Sequence, residues 1–294
     1  MKFREFSHKV YPGLQFQKQS RKNTFIHDTF LRTFPLQKNK HMLIDTHTHL
    51  FLKEFDEDRD EMMKRTLENG VKKVYLPNID SSTTSQMLQM EEDYDWAKPM
   101  IGLHPCSVEN NVQKELAHIE AYLKKHKFAA IGEIGLDFYW DTTYKEQQIE
   151  VFKKEIDLAL AYDLPIVIHA RNSLDECIEI VQAKQNGHLK GIFHCFSGTL
   201  EQANKIIDLD FLMGIGGIVT FKNANLPKII KDINIKYLVL ETDSPYLAPT
   251  PHRGKRNESS YIPLIAEKIA EVQGISMGEV AAVTSENAQQ LYKL

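Results

Sequence analysis

Residues 42–49 read MLIDTHTH and contain the first convincing β-strand of the chain. A short apolar run stops at Asp45, and a polar stretch with two histidines follows. His47 and His49 are two residues apart, so on an extended strand both imidazoles point to the same side. Two nitrogen donors therefore converge where this strand ends.

The unit that begins here, a short apolar run followed by an amphipathic stretch, occurs eight times in all along the chain. The predicted strands are 43–45, 73–76, 100–103, 129–134, 166–168, 192–193, 211–215 and 237–240. The predicted helices are 57–69, one from about 82, 112–125, 144–162, 173–183, 200–208, 226–232 and 261–272, with a last helix over 277–292.

Strict alternation of strands and helices requires parallel strands with helical crossovers, and eight units in about 250 residues match a closed barrel. An open doubly wound sheet is the alternative, but no glycine-rich phosphate loop follows the first strand. The sequence therefore predicts an α/β fold, a (β/α)8 TIM barrel with a metal site at the C-terminal ends of its strands.

Composition narrows the class of protein. The chain has 294 residues, 42% of them hydrophobic, and a formal net charge of -4. No apolar run approaches the roughly 18 residues of a membrane-spanning helix, so we expect no membrane partner. Three cysteines make no disulfide framework, which favours a reducing, cytoplasmic location. The acidity argues against a dedicated high-affinity DNA-binding protein but permits an enzyme that contacts a few phosphates.

The charge is uneven along the chain. Residues 1–41 hold nine Lys/Arg and two acidic residues, a balance of +7, which leaves 27 basic and 38 acidic residues, a balance of -11, for residues 42–294. We interpret 1–41 as a basic, non-catalytic N-terminal extension and 42–294 as the barrel. The extension is consistent with a solvated tail, a transit-like leader, or an upstream segment of a chain whose natural start is Met42, and we favour the last.

Other strands also end in side chains that can bind a metal. They are Glu133 on the fourth strand, His169 on the fifth, His194 on the sixth and Asp243 after the eighth. Taken singly, each could be a core histidine or a helix-capping acid. Taken together with the first strand, four imidazoles and two carboxylates suit one or two divalent ions, and a carboxylate such as Glu133 can bridge a pair.

Five segments carry a resemblance to a known family. They are IDTHTH at 44–49, GLHP at 102–105, IGEIGLD at 131–137, ETDSPYLAP at 241–249 and RGKRNE at 253–258. In this order they resemble the signatures of TatD-type metal-dependent deoxyribonucleases, which lie within the amidohydrolase superfamily of barrel metalloenzymes. The resemblance runs from Met42 to the C-terminus. One departure is Ser259, which stands where the family often has proline.

The resemblance implies a set of site residues. The implied metal ligands are His47, His49, Glu133, His169, His194 and Asp243. It further implies that Glu133 bridges and that Asp243 accepts a proton, with one or two divalent ions (Mg, Mn or Zn) as cofactors. Because the fourth strand offers Glu133 where many relatives have a carboxylated lysine, the cyclic-amide hydrolases of that lysine class are disfavoured.

Other residues are candidates for binding substrate. His104 could donate to a phosphate oxygen or protonate a leaving oxygen, or could be fixed by its neighbours. Arg253 and Arg256 follow the eighth strand and could bind a flanking phosphate, although such clusters are commonly solvated. Arg171 is a weaker candidate of the same kind. The aromatic residues 138–140 could stack on an unpaired base or pack as a loop cluster.

Three classes of function follow. The first is a deoxyribonuclease that cleaves DNA phosphodiester bonds, exonucleolytically on single strands, with a metal-activated water. Its contact with DNA would be transient, and no obligate protein partner is implied. The alternative is a metal-dependent hydrolase of a small ester, amide or aminoacyl bond, since the same site can attack a carbonyl. A non-enzymatic metal-binding scaffold is the third.

Overall fold

The computed structural model of the chain describes residues 42–293. The basic extension predicted for residues 1–41 therefore lies outside the described residues. Within the described part the predicted alternation is present throughout, as eight strands, eight helices that follow them and a final helix. No helix in residues 42–293 combines the length and the apolar character needed to cross a bilayer.

The strands are β1 Leu43–Asp45, β2 Val71–Leu76, β3 Ala97–Pro99, β4 Ile131–Asp137, β5 Ile166–Arg171, β6 Gly191–Phe193, β7 Leu212–Ile215 and β8 Leu238–Leu240. The helices are α1 Arg59–Glu68, α2 Thr84–Asp93, α3 Val112–Leu123, α4 Lys145–Tyr162, α5 Leu174–Lys184, α6 Leu200–Asp208, α7 Leu226–Ile230, α8 Ile262–Gln273 and α9 Met277–Leu291.

All neighbouring strands are parallel, and two sets of backbone hydrogen bonds join β1–β3 to β4–β8. On one side, the Ile101 N–H donates to the Ala130 carbonyl at 3.2 Å, and the Gly132 N–H donates to the Ile101 carbonyl at 2.9 Å. On the other side, the Thr46 N–H donates to the Leu240 carbonyl at 2.9 Å. The ring is thereby closed, and the predicted TIM barrel is confirmed.

The third strand differs from its prediction. The sequence predicts it over 100–103, but it spans Ala97–Pro99, where it pairs in register with β2. Residues 100–103 are buried, and Ile101 forms an isolated parallel bridge to Ile131. The prediction is wrong by three residues because an apolar run marks buried backbone, and buried backbone here continues past the end of the paired ladder.

The amino-terminal end of the barrel is packed with side chains. Ile44, Val167 and Val239 point into one apolar cluster, together with residues of α9 and the segment after it. The rings of Tyr75 and Tyr292 stack there with centroids 3.8 Å apart. This end is a packed floor, so the polar strand ends lie at the opposite, carboxyl-terminal end of the barrel, where TIM-barrel sites form.

Gly135 permits the close pairing of β4 with β5. It pairs with His169, has a φ of +130°, and a Cβ built on it would lie 2.2 Å from the His169 carbonyl oxygen. No L side chain adopts that backbone easily, and the oxygen it would strike belongs to backbone that cannot move without breaking the ladder.

Replacing Gly135 with Ala should therefore lower the free energy of unfolding by at least about 3 kcal/mol. Gly274→Ala is a matched control, because Gly274 also has a positive φ of 69° but a Cβ added to it would meet nothing within 4 Å. We expect the control to cost about 1 kcal/mol. Urea unfolding of both variants measures the difference, and equal costs would contradict the steric argument.

Candidate active site

Glu133 lies at the centre of a buried cluster at the carboxyl-terminal end of the barrel, with 2% of its surface exposed. Its Oε2 atom is 3.2 Å from His47 Nε2 and 3.5 Å from His49 Nε2. Its Oε1 atom is 2.8 Å from His169 Nδ1 and 2.9 Å from His194 Nε2. The two carboxylate oxygens thus face two different pairs of histidines, one from the end of β1 and one from the ends of β5 and β6.

Asp243 completes the half of the cluster that faces β1. Its Oδ1 atom lies 3.7 Å from His47 Nε2 and 3.6 Å from His49 Nε2. The backbone of Asp243 has a φ of 55°, a conformation that residues with a side chain rarely adopt, and its N–H donates to the His47 carbonyl at 2.9 Å. This hydrogen bond fixes the carboxylate beside the two histidines.

The structure therefore brings the six predicted metal ligands into one cluster. The donor atoms form three overlapping groups, and within each group they lie no more than 4.8 Å apart. The groups are His47, His194 and Asp243; His47, His49 and Glu133; and His104, Glu133 and His169. That these side chains bind metal ions stays a prediction.

The donor set fits divalent cations. Both ring nitrogens of His47 are buried without a hydrogen-bond partner among the described residues. Buried polar atoms normally find a partner, so an unsatisfied imidazole nitrogen that faces a carboxylate indicates a place for a cation. His47, His49, Glu133 and Asp243 would hold one ion. Glu133 would share a second ion with the histidines that follow it in the chain, His169 and His194.

The charged neighbours of Glu133 and His49 decide the direction in which the pKa values of these two groups shift. Burial alone would raise the pKa of Glu133, but the neighbouring His194 and His104 outweigh burial and hold that pKa well below its usual range. Burial would likewise lower the pKa of His49, but Asp243 and Glu133 raise it to about 9. Because a ligating imidazole must be neutral, a cation entering this cluster competes with protons.

Two carboxylates lie behind the histidines of the cluster, and one of them, Asp137, forms a hydrogen bond to its histidine. His169 Nε2 donates to Asp137 Oδ2 at 2.9 Å, which leaves Nδ1 to face Glu133. Glu241 is fully buried, lies 3.6 Å from His194 Nδ1 and accepts the N–H of Cys195 at 2.6 Å. A carboxylate that is hydrogen-bonded as Asp137 is fixes the tautomer and the ring orientation of a metal-binding histidine.

Both of these carboxylates lie within the sequence motifs of the family, but sequence reasoning assigned them no role. A signal was present, because Asp137 is four residues after Glu133 and Glu241 is two residues before Asp243. Even spacing on an extended strand puts side chains on one side, toward the same cluster.

His104 has the geometry of a hydrogen-bond donor. Its Nδ1 accepts the N–H of Cys106 at 3.0 Å, so in the neutral ring the proton is on Nε2. This Nε2 lies 3.4 Å from Glu133 Oε1. Burial lowers the pKa of His104, which favours the neutral ring. The tautomer therefore presents an N–H at the cluster, whereas a metal ligand needs a lone pair there.

The structure gives the two predicted phosphate-binding arginines different surroundings. Arg253 is exposed, and its guanidinium lies 3.5 Å from the centroid of the Phe221 ring. Arg256 donates to both oxygens of Asp58, at 2.6 and 2.8 Å, and to the Glu54 carbonyl at 2.7 Å. A phosphate would have to compete with these partners for Arg256, while Arg253 is accessible. Phosphate binding by either stays a prediction.

A pocket of about 240 Å³ opens at the cluster and is lined by His169 and His194. Its other lining residues include Arg171, Cys195 and two apolar side chains, Ile218 and Leu247. The buried cluster is thus reached through a pocket that offers polar, cationic and apolar surface to a bound molecule.

Replacing Asp137 with Ala should weaken metal binding by about 10- to 100-fold, because His169 loses the acceptor that orients it. Asp137→Asn keeps an acceptor oxygen and should lose less of the metal affinity. Calorimetric titration with Zn or Mn measures both affinities. Unchanged affinity in Asp137→Ala would contradict the orienting role.

The chain is similar to several known proteins. The sequence profile of the family described as TatD related DNase matches residues 44–293. The metal-dependent hydrolase YabD of Bacillus subtilis is 39% identical over 254 residues, which cover 86% of this chain and 100% of that protein. The metal-dependent hydrolase YcfH of Escherichia coli is 29% identical over 256 residues, covering 86% of this chain and 96% of that protein.

Solved structures agree with this relationship. The crystal structure of YjjV, a TatD homologue from Escherichia coli, matches with a TM-score of 0.82 and 27% identity, over 86% of this chain and 98% of that one. A TatD family hydrolase from Entamoeba histolytica shares the fold with a TM-score of 0.74 at 24% identity, over 86% and 98% of the two chains. The chain therefore belongs to the TatD family of metal-dependent hydrolases.

Proposed function

We propose that the chain is a deoxyribonuclease that cleaves DNA phosphodiester bonds, acting exonucleolytically on single strands. The observation that carries the proposal is the placement of Glu133, whose two oxygens face separate sets of histidines. A carboxylate placed in this way suits a pair of cations, and paired cations recur in nucleases and phosphatases. The family description as DNases supports the same substrate class.

The protein side of the reaction rests on Asp243. Bound divalent ions would supply Lewis-acid stabilisation of phosphoryl oxygens and a water of lowered pKa. Burial favours the protonated form of Asp243, but the neighbouring His49 and His194 outweigh it and hold the pKa below its usual range. Asp243 is therefore ionised at neutral pH and can orient the attacking water and accept its proton.

His104 acts on the substrate in this proposal. Its Nε2–H donates a hydrogen bond to a non-bridging phosphate oxygen, where negative charge grows during the displacement. A preoriented donor in a buried site stabilises such charge more than the same donor would in water. The neutral ring that burial favours is the form suited to donating without leaving an unpaired buried charge.

The charge of the chain suits brief contact with DNA. Residues 42–294 carry 27 basic and 38 acidic residues, so the barrel as a whole repels a polyanion. A few basic side chains beside the site, such as the exposed Arg253, would attract phosphates only locally. We place the activity in the cytoplasm, on the ground that Cys106, Cys177 and Cys195 are free thiols.

Asp243→Asn tests the nuclease proposal. We expect the full-length chain to release labelled nucleotides from single-stranded DNA with Mg, Mn or Zn and not with EDTA. The variant should lose about 10³-fold or more of that rate, because its amide cannot accept the proton of the water. The product ladder reports whether cleavage starts at an end.

Hydrolysis of a small carboxylic ester, measured beside DNA cleavage, tests the alternative activity on ester, amide or aminoacyl bonds. No nucleotide release with any of these metals would refute the nuclease, and if ester hydrolysis were lost in Asp243→Asn, the site would serve carbonyl chemistry. Unchanged secondary structure in the variant, by circular dichroism, is the folding control.

His104 can be tested with two amide replacements. Gln can place a donor near the position of Nε2, whereas Asn can satisfy the Cys106 N–H but does not reach the substrate. We expect His104→Asn to lower kcat by about 100-fold and His104→Gln to lose less. Metal content should match the wild type in both variants. Loss of metal from either variant would show that His104 acts as a ligand instead.

A further inference from the structure

We propose that Arg171, held against Tyr139 and Trp140, binds the phosphate that flanks the scissile phosphate and so selects polynucleotides over small phosphodiesters. This inference rests on the proposed nuclease function. It assigns a role to the cationic side of the pocket and to the aromatic segment after β4.

Arg171 lies on the same strand as a cluster histidine. His169 and Arg171 are two residues apart within β5, so both side chains project from the same side of the strand. Two strand residues advance about 7 Å, so Arg171 is one level farther out than His169. Both residues line the 240 Å³ pocket. A group bound at Arg171 is therefore displaced outward from one bound at the cluster, as neighbouring phosphates of one strand are.

Two aromatic rings hold the guanidinium. Its carbon lies 4.2 Å from the ring centroid of Tyr139 and 5.0 Å from that of Trp140. The two rings are perpendicular to each other, so they contact the guanidinium from two directions. Its N–H donors lie in one plane and match a phosphate in a bidentate geometry. The two ring contacts restrict the motion of Arg171 and so reduce the entropy lost when it binds an anion.

The same carboxylate anchors this stack and the cluster. Asp137 Oδ1 accepts the N–H groups of Tyr139 at 3.0 Å and Trp140 at 3.2 Å, while Oδ2 accepts from His169. The Phe138 N–H also donates to the Arg171 carbonyl at 2.9 Å. The aromatic segment is thus fixed relative to the cluster at both of its ends, so the spacing between Arg171 and the cluster is set by the fold.

The charges around the site indicate on which side of the cluster a bound polynucleotide would lie. A neighbouring pocket of about 300 Å³ shares His194 and Cys195 with the first and is lined by Asp175 and Glu176. Among the described residues that line either pocket, Arg171 is the one Lys or Arg side chain. A flanking phosphate would be repelled on the acidic side, so the polynucleotide runs past Arg171.

The first experiment compares two substrates on the full-length, metal-loaded chain. Arg171→Ala should lower kcat/KM for a single-stranded oligonucleotide by about 10- to 100-fold, mainly through KM, because a charge-assisted contact is lost. Its effect on bis(4-nitrophenyl) phosphate, which has no flanking phosphate, should stay below about twofold. The dependence of log kcat/KM on log salt should also become shallower by about 0.7. Lys153→Ala, which removes a partly exposed helical cation paired with Glu150, is the matched charge control.

The second experiment removes the negative charge of the flanking phosphate that Arg171 is proposed to bind. A neutral methylphosphonate is placed singly at each position that flanks the scissile bond. At one position the methylphosphonate should lower kcat/KM of the wild type by about 10- to 100-fold. It should lower kcat/KM of Arg171→Ala by less than about threefold, since the two changes remove the same contact. Equal costs in both proteins, or equal losses on both substrates by Arg171→Ala, would overturn the inference.

Variants of Tyr139 test the stack. This side chain is 48% exposed, so its replacement should leave the fold intact. We expect Tyr139→Ala to raise KM for the oligonucleotide and Tyr139→Phe, which keeps the ring, to restore the wild-type value. If Tyr139→Ala leaves the oligonucleotide KM unchanged, the positioning role is refuted.

Failure of the inference can be distinguished from failure of the proposed function. A wild-type chain that cleaves no DNA with Mg, Mn or Zn refutes the nuclease. A wild-type chain that cleaves DNA, together with an Arg171→Ala variant that cleaves it equally well, refutes only the role of Arg171.

Discussion

Glu133 carries a carboxylate into the middle of a strand that is otherwise apolar, and only groups brought by other strands can balance its charge. An unpaired carboxylate at 2% exposure would cost several kcal/mol. The histidines that surround it come from the ends of β1, β5 and β6, so the full set is assembled only when the barrel is closed and brings β1 to the sheet that carries β4. Forming the complete site therefore depends on closing the barrel.

A further buried acid, Asp45, connects this cluster to the rest of the barrel. Asp45, at the end of β1, accepts hydrogen bonds from Thr242, through its N–H at 3.0 Å and its hydroxyl at 2.6 Å, and from the Ser259 hydroxyl at 2.6 Å. These bonds join the first strand to the segment that carries Asp243. Burial nevertheless raises the pKa of Asp45 to about 7. Ser259 thus has a specific partner at a position where the resemblance led us to expect proline.

The sequence predicted the barrel and the composition of the cluster because both depend on local patterns. Strand ends with even spacing of donors, as at His47 and His49, indicate which side chains share a face. The third strand was misplaced because residues 100–103 are apolar and buried but lie beyond the ladder that pairs β3 with β2. The partner of Arg256 was not predictable, because it depends on how α1 packs. For Asp137 the spacing indicates the side of the strand, but which histidine it contacts depends on the register between β4 and β5.

Asp137 shows why such contacts matter for function as well as for the fold. One of its oxygens orients His169, and the other holds the segment that stacks on Arg171. A displacement of this carboxylate would move the cluster and the cationic side of the pocket together. The net charge of the barrel repels the DNA that we propose as substrate, so binding would depend on a few contacts that act at once and whose relative spacing is rigid. A shared buried carboxylate on a paired strand provides that rigidity more directly than separate loops could.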